Sequence, residues 1–196
     1  MANPVPPDPD PYFRKRIPFA HQGHRFEFDV AHTLFSGFEV DQGSKLLLRT
    51  MEPSYPQRIL DLGCGYGIFG IVLARLFPEA HVTLADSDLL AVRYTRHNCE
   101  LNDVSNAQVV GSVGVEQAPA GFYDLIVSNI PAKIGDEAIE REFILAPLER
   151  LRKGGDFWFV VVSGLNRLIP KIGARNELAL TEVKKRTGHT VYRLRK

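Results

Sequence analysis

The chain has 196 residues, 44% of them hydrophobic and 24% charged, ordinary values for one globular domain with enough length to bury a full core. A formal net charge of +1 neither requires nor excludes a polyanionic partner. Two cysteines, Cys64 and Cys99, cannot make a disulfide framework or a thiolate metal site, and the six histidines show no ligand spacing, so no metal is expected. There is neither a signal-peptide pattern nor an apolar run of bilayer length, so a soluble, cytoplasmic protein without membrane contact is expected.

Residues 1–11 are rich in proline and lack apolar periodicity, which predicts a disordered or extended tail. Arg14-Lys15-Arg16 follows, a charge cluster more readily read as solvated than as a nucleic-acid contact. Arg25 to Val30 alternates polar and apolar residues, the pattern of a half-buried strand. Asp41 and Ser44 are both suitable caps for a helix carrying Leu46 to Met51, and capping by itself accounts for either.

The chain is organised around Arg58 to Gly70. A short apolar run ends in Asp61, passes into Gly63-Cys64-Gly65-Tyr66-Gly67, and continues as a helix-period pattern from Ile68. A buried strand, tight turn and helix in that order make an α/β nucleotide-binding site, with N–H groups at the helix start available to an anionic ligand group. Gly65-x-Gly67-x-x-Gly70 matches the dinucleotide fingerprint, and Asp86 stands where a ribose-binding acid belongs. A lone match of that kind is weak, and a glycine turn without a ligand is its bland counterpart.

Further on, His81 to Ala85 predicts a second strand, ending at Asp86-Ser87-Asp88, and a helix spans Leu89 to Leu101. Asp86 is favoured as the ligand contact and Asp88 as the helix cap. Ala107 to Val110 is a third strand, followed by Gly111-Ser112-Val113. Phe122 to Ser128 is a fourth, ending in Asn129-Ile130-Pro131-Ala132-Lys133. Glu137 to Leu151 predicts a long helix kinked or restarted at Pro147. Gly154-Gly155 predicts a turn into the strong apolar strand Asp156 to Val162. Leu165 to Ala174 predicts a helix interrupted by Pro170, and Leu178–Lys184 with His189–Leu194 a terminal hairpin. The whole gives a mostly parallel, doubly wound sheet with antiparallel strands at one edge. Asp61, Asp86, Ser112 and Asn129 all fall at strand carboxyl ends, where ligands sit in such sheets.

The frame Asp61-Leu-Gly63-Cys-Gly65-Tyr-Gly67 resembles the first motif of class I S-adenosylmethionine-dependent methyltransferases. An acid two residues before the first glycine would repel a pyrophosphate but suits a cofactor carrying an ammonium and a sulfonium. Taken with Phe35-Ser36, Asp41-Gln-Gly43-Ser44, Asn129-x-Pro131-x-x-x-Gly135 and Gly188-His-Thr-Val-Tyr-Arg-Leu, the chain from Tyr12 to its end is similar to the small-methyltransferase domain family. That family includes small-subunit ribosomal RNA guanine-N2 methyltransferases and compact archaeal relatives. The resemblance implies a Rossmann-like fold over residues 12–196 and S-adenosyl-L-methionine as cofactor. Asp61, Gly63, Cys64, Gly65, Tyr66 and Gly67 would line its methionine and ribose portion. Asp86 and Ser87 would lie at the ribose, Ser112 and Val113 at the adenine edge, and Asn129 would face the methyl group. It also implies ribosomal RNA or a ribosomal subunit as partner.

Two positions depart from the family pattern. Val113 stands where members usually carry an acid for the adenine amino group. Asn129-Ile130-Pro131-Ala132 replaces Asn-Pro-Pro followed by a bulky residue that packs on the base. An exocyclic base amine is a poor nucleophile, and an Asn oxygen with a backbone carbonyl accepting its N–H bonds would hold its lone pair toward the methyl group. Asn129 supplies the oxygen and Ile130 a carbonyl, with Pro131 fixing the turn. Ala132 cannot stack on a base, leaving Phe35 or Tyr66 as candidates, and Lys133 as a further substrate contact. Asn-Ile-Pro-Ala is also similar to the motif of ribosomal-protein methyltransferases, so a protein amine is the alternative acceptor, and a cofactor-binding scaffold without turnover is the non-enzymatic one. Lys184-Lys185-Arg186 and Arg193, Arg195 and Lys196 on the expected hairpin offer a phosphate-contacting rim, although basic strand edges also serve simply to discourage aggregation.

Overall fold

The structure, a computed structural model, describes residues 10–34 and 39–196. Two antiparallel strands, β1 (Phe13–His21) and β2 (His24–Ala31), form a separate hairpin. β1 is the one strand without a signal in the sequence. Its Arg14-Lys15-Arg16 run masks the alternation that buries Ile17, and Pro18 sits opposite Glu27, as a two-stranded ribbon with open edges permits. Arg16 is bound to Asp29 (2.7 Å) and Glu27 (3.3 Å) across the hairpin. Asp10, within the expected tail, accepts the Tyr94 hydroxyl (2.8 Å) and pairs with Arg93 (2.9 Å).

α1 (Gln42–Thr50) leads into the main sheet, where β3 (Arg58–Leu62), α2 (Ile68–Leu76), β4 (His81–Asp86), α3 (Leu89–Leu101) and β5 (Ala107–Gly111) alternate. β6 (Tyr123–Asn129) and β7 (Leu151–Val162) extend it on the other side, and β8 (Leu180–Arg186) and β9 (His189–Arg195) close the edge as a hairpin. The seven strands lie in the order β5-β4-β3-β6-β7-β9-β8. All neighbours are parallel except β7 with β9 and β9 with β8. The doubly wound sheet with a terminal antiparallel hairpin is therefore as expected.

Side chains alternate between two apolar layers, as period-two strands require. Ile59, Val82, Leu84, Val127, Val160 and Val191 pack with α1 and α2 in one layer; Leu60, Leu62, Ile126, Phe159 and Tyr192 lie in the other with Ile169 and Ile172. By the same alternation Asp61, Asp86, Asn129 and His189 project toward the first layer. The hairpin is fastened to it by α3. Asn98 exchanges hydrogen bonds with both the N–H and the C=O of Asp29 and also donates to Tyr66 O (2.9 Å), tying the hairpin to the glycine turn.

Three expectations need correction. The helical stretch over 137–151 restarts at Pro147 as expected, in α5 (Ala146–Glu149), but before it α4 (Asp136–Ala138) passes into a π-helix (Ile139–Leu145), and Leu151 already belongs to β7. Gly154-Gly155 is not a turn but lies where β7 bulges, the register jumping between Tyr123↔Leu151 and Leu125↔Asp156. Pro170 does not interrupt a helix. It sits in the first turn of α6 (Leu168–Arg175), where a missing N–H costs nothing.

Candidate active site

The glycine turn does something its pattern does not announce. Gly67 caps α2 at φ 94°, a left-handed conformation open to glycine, and has no side chain to offer the helix. The cap comes instead from β3: the Gly70 N–H donates to Asp61 Oδ2 at 2.7 Å. A Cβ on Gly70 would lie 2.2 Å from Leu84 Cδ2, so glycine is what lets α2 approach the sheet closely enough for that bond. The remaining turn amides are largely engaged as well. The Gly63 and Cys64 N–H groups donate to Ala85 O, Gly65 N–H to Asp86 Oδ2 (2.8 Å), and Gly67 N–H to Cys64 O. Of the N–H groups at the start of α2, that of Gly70 is taken by Asp61, so the anion at the start of the helix is the protein's own carboxylate. A pyrophosphate would have to displace Asp61; the dinucleotide reading fails on this geometry.

Asp61 is fully buried and its Oδ1 has no hydrogen-bond partner. Burial, opposed by the Gly70 bond and reinforced by nearby Asp86, pushes its carboxyl up to about 7. A buried carboxylate oxygen without a donor is costly unless something cationic fills the site. The ammonium of S-adenosylmethionine has the required charge and donors, so the residues fit that cofactor. Asp86 is raised too, chiefly by burial; its Oδ1 accepts the Asp88 N–H (2.9 Å) and its Oδ2 holds Gly65. Asp88 caps α3 by accepting from Leu90 N–H (2.8 Å), the division of labour expected for the pair. Ser87 stands between them at the mouth of β4, exposed.

At the end of β5 the hydroxyl of Ser112 is committed inside the protein, donating to Gly114 O (2.9 Å) and accepting from Gln117 N–H (3.1 Å). It is buried and does not replace the missing acid. Val113 is 48% exposed, and Leu89, which carries no motif signal, is 75% exposed at the first position of α3, where it reaches Gly111. Bare apolar side chains just past the ends of the adjacent strands β4 and β5 are suited to a flat heterocycle. The π-helix closes the crevice from the other layer, Phe143 lying over Gly63 and Glu142 over Gly114. Cys64 is buried with its thiol against Thr95 (3.6 Å) and its pKa pushed up by burial, so it offers a ligand backbone alone.

Asn129 ends β6, beside β3, two residues beyond the Asp61↔Val127 pair. Its Nδ2 donates to Asp41 Oδ1 and to Ser44 Oγ, each at 3.2 Å. Asp41 is also the N-cap of α1, accepting the Ser44 N–H at 2.9 Å. Capping is therefore real for Asp41 but does not exhaust its role, and Ser44 is buried inside the first turn instead of capping it. Ile130 is fixed by its N–H to Val160 O (3.0 Å), while Pro131, Ala132 and Lys133 are exposed. Tyr66 is buried with its ring edge-on to Phe28 at 5.5 Å and its hydroxyl unpartnered, so it cannot stack on a base. Burial, then the Asp41 carboxylate, raises its hydroxyl pKa well above the ordinary value. The Phe35 position lies outside the described residues. Among the described residues no helix is long and apolar enough to cross a membrane, and no group of three or more acidic, histidine or cysteine side chains is placed to hold a metal ion.

The sequence profile of the family described as methyltransferase small domain matches residues 25–193. A ribosomal RNA small subunit methyltransferase C from Pseudomonas entomophila is 36% identical over 135 residues, covering 67% of this chain and 40% of that protein. The chain thus spans about two fifths of the length of the curated methyltransferases it matches first. The uncharacterized protein YbxB of Bacillus subtilis is 32% identical over 140 residues, covering 69% of this chain and 68% of that one. Among solved structures, the T. thermophilus 16S rRNA N2 methyltransferase RsmC, in complex with AdoMet and guanosine, superposes with a TM-score of 0.80 at 26% identity. The match covers 97% of this chain and 52% of that one. With the profile spanning most of its length and Asp61, Asp86 and Asn129 at the strand ends, this chain belongs to the methyltransferase small domain family.

Proposed function

We propose that residues 12–196 form one S-adenosylmethionine-dependent N-methyltransferase domain whose acceptor is an exocyclic amine of ribosomal RNA, guanine N2. The observation that carries the reading is that Asp61 and Asn129 end adjacent parallel strands and face the same layer, one with an orphaned carboxylate oxygen and the other with an amide oxygen. The bound cofactor supplies an activated methyl group on a sulfonium. Asp61 Oδ1 takes its ammonium, Asp86 its ribose hydroxyls through the lone pairs left over from Gly65 and Asp88, and Leu89 and Val113 the adenine faces.

Asn129 Oδ1 and the Ile130 carbonyl accept the two N–H bonds of the incoming amine and so aim its lone pair. Alignment is the main lever, because charge disperses as a sulfonium is neutralised and there is little developing charge to stabilise. Ribosomal RNA as acceptor is supported by the relatives' names and by the guanosine in the RsmC complex. It is also supported by exposed Lys184, Lys185 and Arg186 on the edge strand β8, whose Arg186 pairs with His189 beside α1.

The test is Asn129→Ala, assayed with labelled S-adenosylmethionine on undermethylated small ribosomal subunits, followed by nucleoside analysis. The wild type should place label in N2-methylguanosine, and the variant should lose at least about 10²-fold in turnover while binding the cofactor nearly as well. Label found in ribosomal protein would overturn the acceptor, and unchanged turnover in the variant would overturn the role of Asn129.

A further inference from the structure

Asn129 can help an amine only if its carboxamide is the right way round. Its two ends are nearly the same size, and a half-turn about the last side-chain bond exchanges oxygen for NH₂. With the oxygen outward it accepts the amine's N–H; with NH₂ outward two donors face each other and the lone pair is misdirected. The preference therefore has to come from the groups behind it. Ser44 Oγ, at 3.2 Å, does not decide, since a hydroxyl can donate or accept. Asp41 Oδ1, also at 3.2 Å, does decide: a carboxylate accepts only, so the amide end that faces it must be NH₂.

We propose that Asp41 is a positioning residue of the transfer reaction, holding the Asn129 carboxamide in the one polarity that presents Oδ1 to the acceptor amine. This rests on the reading of Asn129 given above. Three features of the structure make Asp41 stiff enough for the task. Its carboxylate is fixed by the α1 N-cap bond to the Ser44 N–H (2.9 Å). The start of α1 is pressed against β9, where a Cβ on Gly43 would come within 2.7 Å of His189 Cδ2 and 3.0 Å of Asp41 Oδ1. The Asn129 backbone is itself in the β6–β7 ladder opposite Val160. Among the described residues no donor is bonded to Asn129 Oδ1, so that oxygen is left for the substrate. The spacing Asp41-x-Gly43-Ser44 then has one physical account: an acid that caps and points, a glycine that clears the histidine ring, and a hydroxyl that takes the second amide hydrogen.

The substitution that separates pointing from capping is Asp41→Ser. Serine is as good an N-cap as aspartate, so the helix survives, but a hydroxyl can donate or accept and so does not dictate which end of Asn129 it meets. Turnover on small ribosomal subunits should fall about 10- to 100-fold, with the cofactor Kd within about threefold of wild type and Tm within a few degrees. Asp41→Asn should keep most of the turnover, because the one oxygen that accepts the Ser44 N–H also faces Asn129 Nδ2, and an amide oxygen, like a carboxylate oxygen, only accepts. Full turnover in Asp41→Ser overturns the proposal, as does a loss in Asp41→Asn as deep as in Asp41→Ser. If instead Asn129→Ala is as active as wild type, the reading of Asn129 itself has failed. A readout independent of turnover is hydrogen exchange of the Asn129 side-chain amide by NMR. Both protons should be slowed relative to an exposed asparagine and should speed up at least about tenfold in Asp41→Ser; exchange in the wild type as fast as at an exposed asparagine overturns the proposal.

Discussion

On the β3–β5 side of the crevice each polar group is held by atoms close to its own strand end. Asp61 caps the helix that follows its strand, Asp86 binds the glycine turn and the start of α3, and Asp88 caps α3. On the β6–β9 side nothing is local. Asn129 is held by Asp41 and Ser44 from α1, 88 and 85 residues away, and α1 is seated against His189 of β9. On the first side a buried carboxylate oxygen, Asp61 Oδ1, has no partner; on the second, Asn129 Nδ2 is bound by Asp41 and Ser44 and its oxygen is left open. A tight site for a charged small molecule and a directional site for a weak nucleophile call for these opposite treatments.

The largest effect expected from breaking the first of these is Asp61→Asn. The new side chain can still accept the Gly70 N–H, but the charge for the ammonium is gone, so calorimetric affinity for S-adenosylmethionine should drop about 10²-fold. Tm at pH 8 should not fall, because a buried carboxylate that lacks a partner is itself costly. The same residue sets a pH dependence. With its folded pKa raised to about 7 from an ordinary 3.8, the folded state holds a proton that the unfolded chain releases. This group therefore favours folding most at low pH, and that contribution is lost as pH rises toward 7. The ammonium needs the ionised form, so cofactor affinity should rise with a slope approaching tenfold per pH unit below about pH 6 and level off near 7, below the titration of the methionyl amine near about 8. A pH-independent affinity in the wild type, or a slope that persists in Asp61→Asn, would remove Asp61 from the ammonium site.

The acceptor side is probed through its most distant support. Gly43→Ala puts a methyl into the His189 ring and must displace either the ring or the start of α1. About 1–3 kcal/mol of stability should be lost. Turnover should drop about tenfold, with cofactor affinity preserved; measured chemical denaturation together with kcat would show whether the acceptor side can be disturbed alone. Equal losses in cofactor affinity and turnover would mean that the two sides are mechanically one. The smallest effect belongs to the rim. Lys184→Gln with Lys185→Gln should weaken binding to small-subunit RNA only a few-fold and lower the slope of log K against log salt by about 1–2. An unchanged slope would assign these lysines to the solvated edge of β8.

The cofactor side was legible because its determinants are short-range. A strand, a glycine turn and a helix read continuously from Arg58 to Gly70, and alternation within β3 and β4 aims Asp61 and Asp86 without reference to anything else. Asp41, Ser44 and Asn129 were each legible as residue types at element ends, and local chemistry gave each a sufficient local role, a cap or a turn. Leu89 was hidden for the opposite reason, since an exposed leucine at a helix start carries no pattern at all. β1 was hidden by its charges, the π-helix by a periodicity that resembles an ordinary helix, and the β7 bulge by a glycine pair that reads as a turn.

Local order along the chain thus determined the sheet, its parallel core, the antiparallel edge and the placing of Asp61, Asp86 and Asn129 at strand ends, because those depend on periodicities of two and 3.6 residues and on turn chemistry. Tertiary structure alone decided which of those ends meet, that the anion at the start of α2 is Asp61, and that the amide of Asn129 is turned by an aspartate from the far end of the domain. Those are contacts between segments brought together only when strand order folds β6 beside β3 and α1 onto β7 and β9, and no spacing along the chain encodes them.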